Sequence, residues 1–261
     1  MGILNVTPDS FSDGGTFFSS KNALDHALNM VDNGADIIDI GGESTRPGSS
    51  PVSKEDECNR IIPVIESIKK FNSEILISVD TYKSYVAKRA VDAGADIVND
   101  ISGLTFDPNM SAYLSGRGIP VILMHINGKP KTMQNNPVYK DLIKDIRSFF
   151  LSQCKIAEEN GIEKNHIIID PGIGFGKTFE HNFKLIGRLN ELCDLGYPVL
   201  IGPSRKAFIG DVLDLPASER IEGTLATVIA GVMNGAKMVR VHDVKEAKRA
   251  VKVTEKILAS A

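Results

Sequence analysis

Asp80, Asn99 and Asp170 each close a short run of Val, Ile and Leu. Carboxylates carried that deep by apolar runs need hydrogen-bond donors to offset their lost hydration. A flat heterocycle with a guanidine-like N–H edge would supply them, as arginine does to a carboxylate. A second set is cationic and rich in donors: Arg46, Arg205, Lys206, Arg240 and His242, with the hydroxyls of Ser44, Thr45 and Ser204. That chemistry suits a phosphate or diphosphate. Together the two sets predict a pocket for a substrate with a fused-ring head and a phosphorylated tail. Taken singly the signals are weak, since Asp80 alone could simply cap the helix after it. The glycines at 172, 174 and 176 miss both the phosphate-loop and the dinucleotide spacing. The scattered Cys and His have no zinc-like spacing.

These residues stand at regular intervals. Short apolar runs occupy Gly2–Val6, Asp36–Ile40, Ile75–Val79, Asp96–Val98, Pro120–Met124, His166–Ile169, Pro198–Ile201 and Lys237–Val241. Between them, apolar residues recur at three- and four-residue spacing, as in Ala23, Leu24, Ala27, Leu28 and Val31, which makes one apolar helical stripe. Glycines 34, 94, 118, 161, 196 and 235 precede most strands and read as helix stops. Continuous apolar strands alternating with amphipathic helices predict a parallel sheet. Eight such units predict a single-domain α/β fold over 1–261, a (β/α)8 TIM barrel, with the polar residues at the C-terminal strand ends where such barrels do chemistry.

Composition narrows the setting. With 42% apolar and 24% charged residues in 261, the chain can bury a core and is neither disordered nor fibrous. Thirty-three acids against 30 bases leave no global field for nucleic acid or an anionic membrane. No stretch reaches the roughly 18 consecutive apolar residues of a membrane span. Three scattered cysteines, Cys58, Cys154 and Cys193, predict a reducing, cytoplasmic setting.

At these same positions the sequence resembles the dihydropteroate synthase family of folate biosynthesis. The matching stretches are MGILNVTPDSFSDGG at 1–15, GADIIDIGGESTRPGS at 34–49, SVDTYK at 78–83, VNDISG at 98–103, DPGIGFGKTFEHN at 170–182, GPSRKAFIG at 202–210 and RVHDV at 240–244. They run in order through nearly the whole chain. The resemblance implies condensation of 6-hydroxymethyl-7,8-dihydropterin diphosphate with 4-aminobenzoate, giving 7,8-dihydropteroate and pyrophosphate, and inhibition by sulfonamides.

It also implies roles for residues. Asp80, Asn99, Met124, Asp170 and Lys206 would bind the pterin, with Arg205 against the ring face. Asn5, Thr45, Arg46, Arg240 and His242 would hold the diphosphate, Asn5 through a Mg²⁺ ion. Phe11, Ser44, Thr45, Pro47, Phe175, Ser204 and Lys206 would border the aminobenzoate. Arg46, Lys206, Arg240 and His242 form the catalytic set, and a homodimer is expected. Family members usually carry a hairpin before the first strand that is not seen ahead of Met1, so either the start has been lost or misassigned or another segment closes the barrel base. A pterin-dependent methyltransferase, or a catalytically idle pterin-binding homologue, would share the Asp/Asn/Asp grip. The SRK run at 204–206 and the RVH run at 240–242 favour the synthase.

Overall fold

The computed structural model describes residues 1–7 and 16–260. Its elements alternate: β1 (Gly2–Asn5), α1 (Thr16–Asp32), β2 (Ile37–Gly41), α2 (Lys54–Phe71), β3 (Leu76–Asp80), α3 (Ser84–Asp92), β4 (Ile97–Asp100), α4 (Asn109–Leu114), β5 (Val121–Met124), α5 (Leu142–Glu159) and β6 (Ile167–Asp170). Two helices, α6 (Phe179–Gly187) and α7 (Asn190–Cys193), precede β7 (Leu200–Ile201). Another two, α8 (Ala207–Leu213) and α9 (Ile221–Met233), precede β8 (Met238–Val239), and α10 (Val244–Leu258) follows.

Strands β1 to β6 form a parallel sheet in sequence order, and β7 pairs with β8. Single parallel bridges join the two sheets, Ile169 to Val199 on one side and Gly2 to Val241 on the other. The second seam carries Ile3 N–H to the Val241 carbonyl and Val241 N–H to the Met1 carbonyl, each at 3.0 Å. The eight parallel strands therefore run in a ring, as the eight sequence units predict. β7 and β8 are the shortest strands; before β7, Pro198 has no N–H to donate and offers only its carbonyl, to Ile169 at 2.9 Å.

Alternation along each strand sorts the side chains. Leu4, Ile38, Ile40, Ile77, Val79, Val98, Leu123 and Ile169 join the large core between strands and helices. Met1, Ile37, Ile97, Ile122 and Leu200 form a separate apolar cluster, with Ile168 and Met238 packed on it. This second cluster plugs the barrel interior. Two residues further along the same faces come Ile3, Asp39, Asn99, Met124, Asp170 and Arg240, so the period of two that buries the plug also aims the polar residues inward. Strands β2, β3, β4 and β6 run one or two residues beyond the expected ends, so Asp80, Asn99 and Asp170 lie in strands, with parallel pairing of Asp80 to Asn99 and of Met124 to Asp170.

Helix starts carry their own signals. Ser53 accepts the Asp56 N–H at 3.0 Å, and α2 places Glu55, Asp56 and Glu57 in its first turn and Lys69 and Lys70 in its last. Gly94 ends the α3 turn at φ 113°, a conformation that a Cβ would strain.

Candidate active site

At the open end of the ring Arg240 is the centre of a charged cluster. Its Nε donates to Asp39 Oδ2 at 2.6 Å and its Nη2 to Asp80 Oδ2 at 2.9 Å. Asn99 Nδ2 donates to both oxygens of Asp39, at 3.2 and 3.4 Å. Asp39 is wholly buried, so without these donors its charge could not be held there. Burial pushes Asp80 up to about 7, with Arg240 opposing the rise and Asp39 adding to it. Burial likewise raises Asp170 to about 6, against the Gly172 N–H that donates to its Oδ1 at 2.7 Å. Both carboxylates are thus short of donors, the condition under which an N–H edge of a ligand binds well.

The loop after β6 folds over this floor. Gly172 has φ 68°, and a Cβ there would collide with the His125 carbonyl, so only glycine lets the loop lie so close. Lys177 turns inward and donates to the Phe175 carbonyl at 2.9 Å and the His125 carbonyl at 3.3 Å, with its amine 3.1 Å from His125 Nδ1. These bonds set Phe175, whose ring lies 4.2 Å from Lys206 Nζ. Burial lowers the Lys206 ammonium to about 8; Arg240 lowers it further, while Asp170 and Asp80 raise it.

On the opposite wall Ser204 Oγ accepts the His242 backbone N–H at 3.2 Å and lies 2.9 Å from His242 Nδ1. With the hydroxyl proton given to Nδ1, the ring proton sits on Nε2. Burial, with the charges of Arg205 and Arg240, lowers His242 to about 4, which keeps the imidazole neutral. The arrangement is an acceptor-lined floor beneath a wall of lysine, arginine and histidine donors.

The family of pterin binding enzymes matches residues 1–242. The dihydropteroate synthase of Bacillus subtilis is 52% identical over 258 residues, covering 99% of this chain and 88% of that protein. The chain belongs to the dihydropteroate synthase family. It is a transferase of folate biosynthesis, like the other dihydropteroate synthases it matches. Solved dihydropteroate synthases share its architecture. The Yersinia pestis enzyme in a sulfonamide drug complex superposes with a TM-score of 0.93 at 44% identity, covering 99% of this chain and 94% of that one. The Xanthomonas albilineans enzyme in complex with 7,8-dihydropteroate gives 0.89 at 39% identity, covering 99% and 93%.

Set against the dihydropteroate synthase roles, the structure gathers Asp80, Asn99, Met124, Asp170, Phe175, Ser204, Lys206, Arg240 and His242 around one mouth. Asn5 ends β1 on the same side, half-buried. Three placements bear on those roles. Arg240 is not an open cation for diphosphate, because Asp39 and Asp80 hold two of its three nitrogens. Arg205, expected against the ring, pairs with Asp243 at 2.5 and 3.0 Å. Arg46 and Pro47 are exposed, and Arg46 makes no ion pair among the described residues. Phe11 lies outside the described residues.

Asp39 is the member that sequence reasoning missed. Its signal was a lone acid inside the apolar strand Ile37–Gly41, two positions from an inward apolar residue. His125, Lys177 and Asp100 support loops instead of facing the mouth. Asp100, for example, accepts the N–H groups of Ser102 and Leu104.

Proposed function

We propose that this chain condenses 6-hydroxymethyl-7,8-dihydropterin diphosphate with 4-aminobenzoate, forming 7,8-dihydropteroate and releasing pyrophosphate. The observation that carries the reading is the placement of donor-poor Asp80 and Asp170 beside the Lys206, Arg240 and His242 donors at one barrel mouth. The carboxylates accept the pterin N–H edge. Asn99, its amide nitrogen engaged by Asp39, offers its oxygen to the same edge. Met124 floors the slot, and Lys206 reaches the ring's remaining polar atoms.

The bond that breaks joins a CH₂ to a diphosphate oxygen, so negative charge grows on the leaving group. His242 Nε2–H, the third nitrogen of Arg240, Arg46 and Thr45 are aimed to stabilise that charge, and stabilisation of this kind usually contributes most to such catalysis. The pterin ring shares the positive charge left on the CH₂. The neutral arylamine attacks between Phe175, Ser204 and the loop that carries Ser44, Thr45 and Pro47, then loses its proton to solvent. No strong base is required. Arg205, with its charge matched by Asp243, borders the ring and does not carry the reaction.

Among the described residues no group of three His, Cys, Asp or Glu could hold a metal ion by itself. Asn5 offers a hard oxygen donor, which fits Mg²⁺ brought in on the diphosphate, the mode usual for that ion. Bound there, Mg²⁺ would neutralise charge on the leaving phosphates.

The test is pyrophosphate release with dihydropterin diphosphate, Mg²⁺ and 4-aminobenzoate, each omitted in turn. Release that needs all three supports the synthase. Tight pterin binding without release would identify an idle homologue.

Two further results are expected. Because the pterin edge donates to ionised Asp80 and Asp170, 6-hydroxymethylpterin affinity should fall as pH drops through about 7 and 6. Calorimetry at pH 6 in buffers of different ionisation enthalpy should register proton release on binding, and release of none would contradict the assignment. Sulfonamides should compete with aminobenzoate, since the Ser44–Pro47 loop is common ground for both. Inhibition that does not ease as aminobenzoate rises would count against this.

The homodimer draws support from Met233 on α9 and Val253, Ile257 and Leu258 on α10, all exposed apolar side chains on two helices packed together. Three unpaired cysteines support the cytoplasmic setting. No described helix is long and apolar enough to cross a membrane.

A further inference from the structure

The segment 44–51 leaves β2 and returns to α2 with its two ends fastened by one side chain. Glu43 Oε2 accepts the Val52 backbone N–H at 2.8 Å and the Lys83 ammonium at 2.6 Å. Its Oε1 accepts the Tyr82 hydroxyl at 3.0 Å. The Glu43 side chain is only 7% exposed, so these are shielded, charge-assisted bonds. Lys83 also pairs with Glu57, which is buried in the first turn of α2, so the clamp is anchored to β3, α2 and the loop at once. Arg60 adds a bond from Nη1 to the Gly42 carbonyl at 2.8 Å. The tip is held separately, by Gly48 N–H to the Pro130 carbonyl at 3.2 Å.

Between base and tip lie Ser44, Thr45, Arg46 and Pro47. Among the described residues their contacts are few: Arg46 and Pro47 are exposed, the Arg46 N–H reaches Ser44 Oγ at 3.5 Å, and the Arg46 carbonyl accepts the Ser49 N–H at 3.0 Å. Something other than local packing must therefore set their direction. We propose that Glu43 is a positioning residue, which acts by closing the base of this loop so that Ser44, Thr45 and Pro47 border the aminobenzoate and Arg46 meets the diphosphate. The assignment rests on the reaction proposed above, and its loop part can be read without turnover.

The test compares Glu43→Ala, Glu43→Gln and Tyr82→Phe in the full chain. Glu43→Ala should raise the aminobenzoate KM by about tenfold or more, the scale of losing hydrogen bonds to a charged group. The dissociation constant of 6-hydroxymethylpterin should stay within about twofold, because the barrel floor is untouched. Amide exchange over 44–52 should quicken. Glu43→Gln should restore most of the KM, since its amide oxygen can accept from Val52 and Lys83 while its NH₂ donates to the Tyr82 oxygen. Tyr82→Phe should shift KM and exchange in the same direction by less.

Unchanged KM and exchange in Glu43→Ala would overturn the proposal. So would an equal loss of pterin binding, which would make Glu43 a general support of the mouth. If Glu43→Ala does not fold, Tyr82→Phe decides, and wild-type KM and exchange there overturn the idea. Failure of the wild-type protein to release pyrophosphate, with loop exchange still dependent on Glu43, would sink the reaction and leave the anchor standing.

Discussion

Lys206→Met should raise the KM of dihydropterin diphosphate by about tenfold or more, the scale of losing a hydrogen bond made by a charged group, and should melt a few degrees higher at pH 7. The two effects have one cause. Burial lowers the Lys206 ammonium to about 8, with Arg240 lowering it further. The unfolded chain holds the same proton with a pKa of about 10.4. A folded pKa below the unfolded one means that the charge opposes folding fully below about pH 8. The opposition fades as pH rises toward the unfolded value. Methionine fills the space beside Phe175 without the charge, so the penalty goes. Calorimetric melting at pH 7 and pH 10 checks the sign, and the gain should shrink at pH 10. A variant with a raised KM that is less stable at pH 7 would show that Lys206 is a structural cation.

Arg240→Met should be the most destabilising single change at the mouth, by about 3–5 kcal/mol at pH 7, because it strands buried charge. Asp39 is wholly buried and loses its 2.6 Å partner, and Asp80 loses its 2.9 Å one. The deficit should depend on pH. Burial already lifts Asp80 to about 7 against the opposing charge of Arg240, so without the arginine it ionises at a still higher pH. A folded pKa above the unfolded one, about 3.9, gives a penalty that is full above the folded value and shrinks as pH falls toward the unfolded one. The wild type carries the same penalty below about pH 7, so the deficit opens between about pH 7 and the variant's higher value, and urea melts at pH 7 and pH 9 should show the larger deficit at pH 9. Arg240→Lys should recover part of the stability at pH 7, since one ammonium keeps the charge but cannot fork to two carboxylates. A deficit equal at both pH values would point to lost packing instead of stranded charge.

The two variants separate roles that the sequence presented as one cationic cluster. Burial of its charge sets Lys206 against the fold, and in the proposed reaction its return is the contact with substrate. Arg240 holds Asp39 and Asp80 in the fold, and in the proposed reaction its third nitrogen is left for the diphosphate. The same division runs through the rest of the mouth. In the proposed reaction Asp170 meets substrate, whereas Asp100, one strand-end acid of the same appearance, is consumed by the N–H groups of Ser102 and Leu104.

The architecture was legible because it follows from local patterns. Apolar runs of four or five residues, amphipathic spacing between them and glycine stops such as Gly94 are each dictated by neighbours within a turn or a strand. With the C-terminal strand ends as the place for polar residues, that was enough to locate Asp80, Asn99, Asp170, Lys206 and His242. The motif resemblance then named the chemistry.

Pairings were decided elsewhere. Arg240 meets Asp39 across 201 residues of sequence, and nothing near either residue specifies that contact. It arises because the ring closes β8 onto β1, next to β2, and because the two-residue period turns both side chains inward at the same height. Arg205 met Asp243 for the same reason, as the ends of β7 and β8 are adjacent. Residue type and spacing fixed which groups could do the chemistry. Barrel closure fixed which of them are paired with each other and which are left with unfilled valence toward a substrate, because a buried charge takes whatever partner the ring places within reach.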